Sequence, residues 1–393
     1  MFWIQALLNV KVISVILTLF YLHRGLALED IFYLSIIWAI STILFEIPSS
    51  YMADMWGRKR TILVGIMFAL LGWIFLLVGD SFVMFAIALV FSSLQFASFS
   101  GTDEALIYDS NKELGAHTES LRRLSHYYSG RNVLKIVTPL IAVFFAQDLL
   151  DWQFAVVISI DIVAVAISFV CALMLSEPHH YMDVTEQEAG IMTDAVMLIK
   201  NNPLLIRGIM SKTIVFIASF IIWRYHQDLF VHNLGISVIA VGCAWSVHHT
   251  VVFLWERYVT PRFHGDVGKN IDIINMIFLL NTIVALASIL MLDNIYAIMV
   301  TVMLLFFVER IRMSLFSQFF NTASRSFNRA TTISLSNFLK SLLDLPLLFI
   351  AAIIISRSSI YPFIFIVVLS SVVVVFFRLS SQKLYVPKTS TSR

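Results

Sequence analysis

The stretch Phe45–Arg60 (Phe-Glu-Ile-Pro-Ser-Ser-Tyr-Met-Ala-Asp-Met-Trp-Gly-Arg-Lys-Arg) decides how the rest of the chain reads. It lies between two long apolar runs, which makes it a short polar hinge and not a linker. Asp54 ends the first run, Gly57 permits a sharp reversal, and Arg58, Lys59 and Arg60 follow at once. Three adjacent cations beside an apolar helix mark a cytoplasmic loop by the positive-inside rule. The hinge is therefore the turn between two membrane helices.

Composition points the same way. Hydrophobic residues make up 59% of the chain and charged ones 13%, against roughly 25% charged in soluble domains. That excludes disorder and argues against a soluble enzyme. A net charge of +2 gives no reason to expect a nucleic-acid partner. Cys171 and Cys243 both fall inside apolar runs, so a disulfide framework has no support. The His and Cys residues are too dispersed for metal-ligand spacing, and no phosphate-binding Gly-Lys-Ser/Thr loop occurs, so neither a metal nor a nucleotide cofactor is expected. Met1–Tyr21 is apolar around Lys11 with no basic segment before it, and reads as a first membrane helix.

A bilayer core of about 30 Å takes roughly 20 apolar residues per helix. Spans fall near residues 3–22, 31–53, 61–79, 82–110, 121–147 and 152–176, then near 206–229, 236–257, 271–291, 294–320, 329–356 and 359–379. With the amino terminus inside, the cytoplasmic connections collect Arg58, Lys59, Arg60, Lys112, Arg122, Arg123, Lys200, Arg257, Arg262, Lys269, Arg325 and Arg329. The external ones hold mainly acids such as Glu29, Asp30, Asp80, Asp148, Asp151 and Asp293. An odd error in the count would scramble that asymmetry, so the expected topology has both termini in the cytoplasm. The polar stretch 177–205 divides the spans into two bundles of six, 1–176 and 206–380, and 381–393 forms a cytoplasmic tail. The expected architecture is all-α, integral to the membrane, with twelve helices.

The spacing of Ser50, Asp54, Gly57, Arg58 and Lys59 resembles the small-x-x-x-Asp-x-x-Gly-Arg-Lys loop between helices 2 and 3 of the major facilitator superfamily, with Ser50 where Gly is usual. Phe45–Pro48, Ser100–Ser110 and Arg329–Leu335 resemble a bacterial branch of that superfamily. The resemblance implies two pseudo-symmetric six-helix halves that give alternating access to a central cavity. It also implies a small-molecule substrate, coupling to protons, a monomer in the cytoplasmic (inner) membrane, and no enzymatic role. A gating latch is implied at Asp54, Gly57, Arg58 and Lys59.

Charged groups at bilayer depth cost about 2.5–3.5 kcal/mol each, so every one needs an account. Asp103, Glu104 and Asp109 stand at the end of span 4, and Arg131 enters span 5 from the same side. A bidentate pair of Arg131 with Asp103 or Glu104 would extend the latch. Lys135 lies one turn beyond Arg131, and Lys11 has only Gln5 and Asn9 as polar neighbours on its own helix. These lysines call for an anion nearby, either Glu46 or cargo, so Lys11, Lys135 and Asn9 are candidate binding residues. Arg310 and Lys340 join them from the second half, although Lys340 and Asp344, one turn apart, are also able to neutralise each other. Glu309, Arg310 and Arg312 share span 10, where one helix cannot aim all three at one partner. Glu46, His248 and Glu309 are the candidates for carrying protons. Residues 130–139 hold a Pro but replace the glycines usual in span 5 of drug–proton antiporters with Arg131 and Lys135. That departure favours an organic anion as cargo, for example a carboxylate metabolite or siderophore. Efflux of a drug or antibiotic by proton antiport is the alternative.

Overall fold

The computed structural model describes residues 1–114, 126–127, 130, 134–177, 202–262, 266–291, 294–323 and 329–380; within its helices the side chains of Ser50, Asp54, Asp109 and 329–338, among others, lie outside the description. Among the described residues the secondary structure is helical throughout. The long helices coincide closely with the apolar runs: α3 Leu28–Trp56, α4 Arg58–Val78, α8 Asp151–Leu173, α9 Pro203–Asp228, α10 Val238–Tyr258, α11 Val267–Met291, α12 Ile295–Ala323, α13 Arg329–Ile355 and α14 Tyr361–Phe376. Seven helical segments of the described residues are long and apolar enough to cross a membrane. Helices are the form such runs must take, since backbone polar groups in lipid have no water to pair with.

Two spans differ from the continuous helices expected. Span 1 is broken into α1 Phe2–Leu8, a 3-10 turn Val12–Val15, and α2 Leu17–His23. Lys11 stands at the break with a left-handed φ of 42°. Span 4 is broken at Ser100–Gly101, where Gly101 takes a φ of 76°, into α5 Phe82–Phe99 and α6 Thr102–Glu113. Of span 5, the helix α7 Thr138–Phe145 is described.

A break at bilayer depth leaves backbone N–H groups to satisfy, and α8 supplies the acceptor. The carboxylate of Asp161, 1% exposed, accepts hydrogen bonds from the Val12 and Ile13 amides at 2.7 and 3.1 Å. The second joint, near Ile16, is bridged from α9. There the Gln227 side chain accepts from the Thr18 amide at 2.7 Å and donates to the Ser14 carbonyl at 3.0 Å. Span 1 therefore keeps its backbone paired through side chains of other helices.

Packing groups the chain into two compact units. One holds Met1–Met182, Arg224–Thr250 and Ala351–Ser356; the other holds Asp183–Trp223, Val251–Ile350 and Arg357–Arg393. In the first unit, Ile4, Leu8, Ile62, Ile66, Phe99, Leu106 and Val165 form an apolar core. Small residues bring α4 and α5 together: a Cβ at Gly72 would stand 3.0 Å from the Ala88 carbonyl oxygen. Close approach of this kind supplies the dispersion that holds helices together in lipid. The second unit packs Leu205, Ile209, Ile271, Leu315, Phe316 and Phe319 around a core from α9, α11 and α12.

Candidate functional site

The polar interior of the second unit is built from four helices. Arg312 of α12 is 0% exposed. Its Nε donates to Asn275 Oδ1 of α11 at 2.7 Å, and its Nη2 donates to the Ser211 carbonyl of α9. Asn275 in turn donates to Ser211 Oγ at 3.1 Å, and the guanidinium lies over the Phe316 ring with its centre 4.6 Å from the centroid. Nη1 of Arg312 has no hydrogen-bond partner among the described residues, and neither has the buried Oε1 of the half-buried Glu309. Glu309 and Arg312 are three residues apart, on one face of α12. They lie close enough for their charges to act on each other. Arg310, about 100° round the helix from Glu309, turns to Glu256 of α10 instead, at 3.5 Å.

On α13, Lys340 pairs with Asp344 at 2.6 Å, the neutralisation their spacing offers, and its ammonium sits 4.0 Å from the centroid of Phe216. Lys212 of α9 completes the group. It feels the charges of both Lys340 and Arg312 and rests 5.3 Å from the Phe320 ring centroid. Lys212 and Asn275 were not marked by the sequence. A lone Lys and a lone Asn in apolar runs carry no local sign of what they face.

The first unit places the other candidates. Lys11 is exposed at the break of span 1, and its charge reaches Asp161, an acid the sequence reading passes over. Asn9 donates to the Gln5 carbonyl at 2.9 Å, which serves the end of α1. Glu46 of α3 is half-buried and accepts from Ser100 Oγ at 3.2 Å, at the break of span 4. Asp103, buried at the start of α6, accepts from the Tyr127 hydroxyl and from the Glu104 amide, while the Glu104 residue is exposed. Arg131, proposed as its partner from sequence, lies outside the described residues, as do the side chains of Asp54 and Asp109. Lys135 is half-buried in the turn before α7. The next residue, Ile136, accepts at its carbonyl from Ser246 Oγ of α10 at 2.7 Å. His248 is buried against Trp245, their rings 5.2 Å apart, and the Trp245 indole donates to Nε2 of His226 at 3.1 Å. The other ring, His249, is also within 5.6 Å of Trp245.

The hinge has the reversal its Gly allows, with φ 95° at Gly57 separating α3 from α4. The acid that meets the start of α4 is Glu177, from the end of span 6. Its carboxylate accepts from the amides of Arg58 at 2.7 Å and Lys59 at 2.8 Å, two of the orphan donors of a helix N-terminus. A Cβ at Gly57 would come within 3.0 Å of that carboxyl, so this position is restricted by both space and φ. Glu177→Ala is expected to cost about 1 kcal/mol, the usual loss of a capping acceptor. The check is hydrogen exchange at the Arg58 and Lys59 amides, which should speed up. Unchanged protection there would mean that water caps the helix equally well.

The family model described as Major Facilitator Superfamily matches residues 4–345. No curated protein matches the sequence. Among solved structures, the chain is similar to a D-xylose–proton symporter at 9% identity, with a TM-score of 0.74 and coverage of 96% of this chain and 95% of that one. It is similar to an auto-inhibited peptide transporter of the POT family at 11% identity and a TM-score of 0.71, covering 100% and 98%. The nucleoside transporter NupG matches at 12% identity and a TM-score of 0.70, covering 97% and 99%. Likeness at such identities speaks for the fold, a multi-pass helical membrane protein.

Proposed function

The chain belongs to the Major Facilitator Superfamily, and on that premise we propose that it is a secondary transporter of a small organic anion, coupled to protons. The observation that carries the anionic cargo is the charge balance inside the second unit. Lys212, Arg312 and Lys340 stand against Glu309 and Asp344, while Arg310 and Glu256 cancel each other. Among the described residues one positive charge is left over at bilayer depth, where it costs about 2.5–3.5 kcal/mol. A bound monoanion removes that cost. Glu309, half-buried and three residues from Arg312 on one face of α12, with one buried oxygen unpartnered among the described residues, is the proposed proton carrier. Cargo that takes the attention of the cations frees Glu309 to accept a proton, which links the two loads.

The cycle rocks the helices of 1–176 against those of 206–380, joined by the linker 177–205. The cations gathered on alternate loops support a cytoplasmic-membrane protein with both termini inside. The test compares small molecules inside and outside cells with and without this chain at two external pH values. An organic acid should redistribute, by an amount that depends on pH, and Glu309→Gln should keep the redistribution while removing its dependence on pH. Redistribution confined to neutral or cationic compounds would overturn the reading.

A further inference from the structure

The helix α9 has one side unlike the rest. From Ser211 to Trp223 every residue is buried except Lys212, Phe216, Phe220 and Trp223. These four recur at intervals of four, four and three, so they form one stripe on a helix. A stripe that ends in a charged Lys is costly to turn to lipid, and Lys340 lies over one of its rings, its ammonium 4.0 Å from the Phe216 centroid. The stripe is also ordered chemically. Lys212 stands at one end: Lys340 lies over the next ring of the stripe, Phe216, and Arg312 donates to the carbonyl of the residue before it, Ser211. From there the rings run in a stack: Phe216 and Phe220 lie 6.1 Å apart at 20°, Phe220 and Trp223 5.8 Å apart at 29°. Phe216 to Trp223 covers about 10 Å along the axis.

We infer that this stripe binds an organic monoanion with an aromatic body, its acid group on Lys212 and its rings laid along Phe216, Phe220 and Trp223. The inference rests on the anionic cargo proposed above and adds the class and the place. Lys212 makes the contact, because it is half open and its described neighbours are cations and the Phe320 ring. Arg312 supplies field from behind, held rigid by Asn275 and Ser211. A flat aromatic body extends the existing stack at little cost in order, since the three rings already lie near-parallel.

Calorimetric titration of the full chain in lipid nanodiscs tests this with three probes: naphthylacetate, naphthylacetamide and acetate. Naphthylacetate should bind the parent, and the other two at least about tenfold more weakly, as the amide lacks the charge-assisted bond and acetate lacks the body. Lys212→Met should weaken naphthylacetate about tenfold or more, and Phe220→Ala about fivefold, in protein that keeps the parent's Tm. Acetate binding as tightly as naphthylacetate, and through Lys212, overturns the aromatic class and leaves the anionic cargo standing. Naphthylacetamide binding as tightly as the acid overturns the anionic cargo, and this inference with it. No binding of naphthylacetate, or binding that Lys212→Met leaves unchanged, removes the site from this stripe.

Discussion

Asp161→Ala is expected to destabilise the protein by about 2–6 kcal/mol, the cost of leaving two buried amides without an acceptor at about 1–3 kcal/mol each. The amides are those of Val12 and Ile13, at the break of span 1, and the Asp161 carboxylate is seen to serve both. Water is scarce at that depth, so nothing inexpensive replaces the carboxylate. Asp161→Asn keeps one oxygen in place and should lose roughly half as much, since charge assistance doubles the strength of such a bond. Thermal unfolding in detergent, followed by light scattering or tryptophan fluorescence, measures the difference. An Ala variant that melts with the parent would show that the joint at Asn9–Lys11 finds other partners.

Arg312→Met carries the second large effect. The substitution keeps length and removes a charge that is wholly buried. It removes the cation that acts most strongly on Glu309, leaving Arg310 and Lys340, and it takes the donors away from Asn275 Oδ1 and the Ser211 carbonyl. Each buried acceptor left without its donor costs about 1–3 kcal/mol, and the loss of that cation from Glu309 adds to it. Folded yield should fall sharply. Adding Glu309→Gln to Arg312→Met should then recover part of the loss, since the charge that lost its strongest partner goes with it. A double-mutant cycle on Tm reads that coupling directly. Strict additivity of the two changes would mean that Glu309 and Arg312 do not sense each other, contrary to their placement on one face of the helix.

The parts of this fold that could be read in advance were the local ones. A span from 31 to 53 is found as Leu28–Trp56, and one from 271 to 291 as Val267–Met291, because an apolar run bounded by polar residues is a property of neighbours in the chain. The Lys340–Asp344 pair is local in the same sense, four residues apart on one helix. The broken course of span 1 was not legible. Its cause is the acceptor at Asp161, which nothing in Met1–Tyr21 announces, and its second joint depends on Gln227 of α9. The site follows the same rule. Helical geometry says that Arg310 and Arg312 part company, but only the neighbouring helices assign Glu256 to one and Asn275 to the other. Glu177 could be seen as the start of a polar stretch; that it reaches back to Arg58 and Lys59, more than a hundred residues earlier, is a fact of packing.

The two joints of span 1 also bear on how the chain is made. Val12 and Asp161 are 149 residues apart, and Thr18 and Gln227 are 209 apart. At roughly 5–20 residues per second, a ribosome delivers Asp161 about 7–30 s after Val12 has left it. Through that interval the amides of the break must stay with water or with the insertion machinery, because α1 and α2 have seven residues each and neither alone reaches across a bilayer. The opening segment therefore waits at the membrane while five further spans are synthesised. It closes its first joint only when span 6 arrives, and its second when span 7 does. Residues made before the five spans that follow them are thus among the last to be finished.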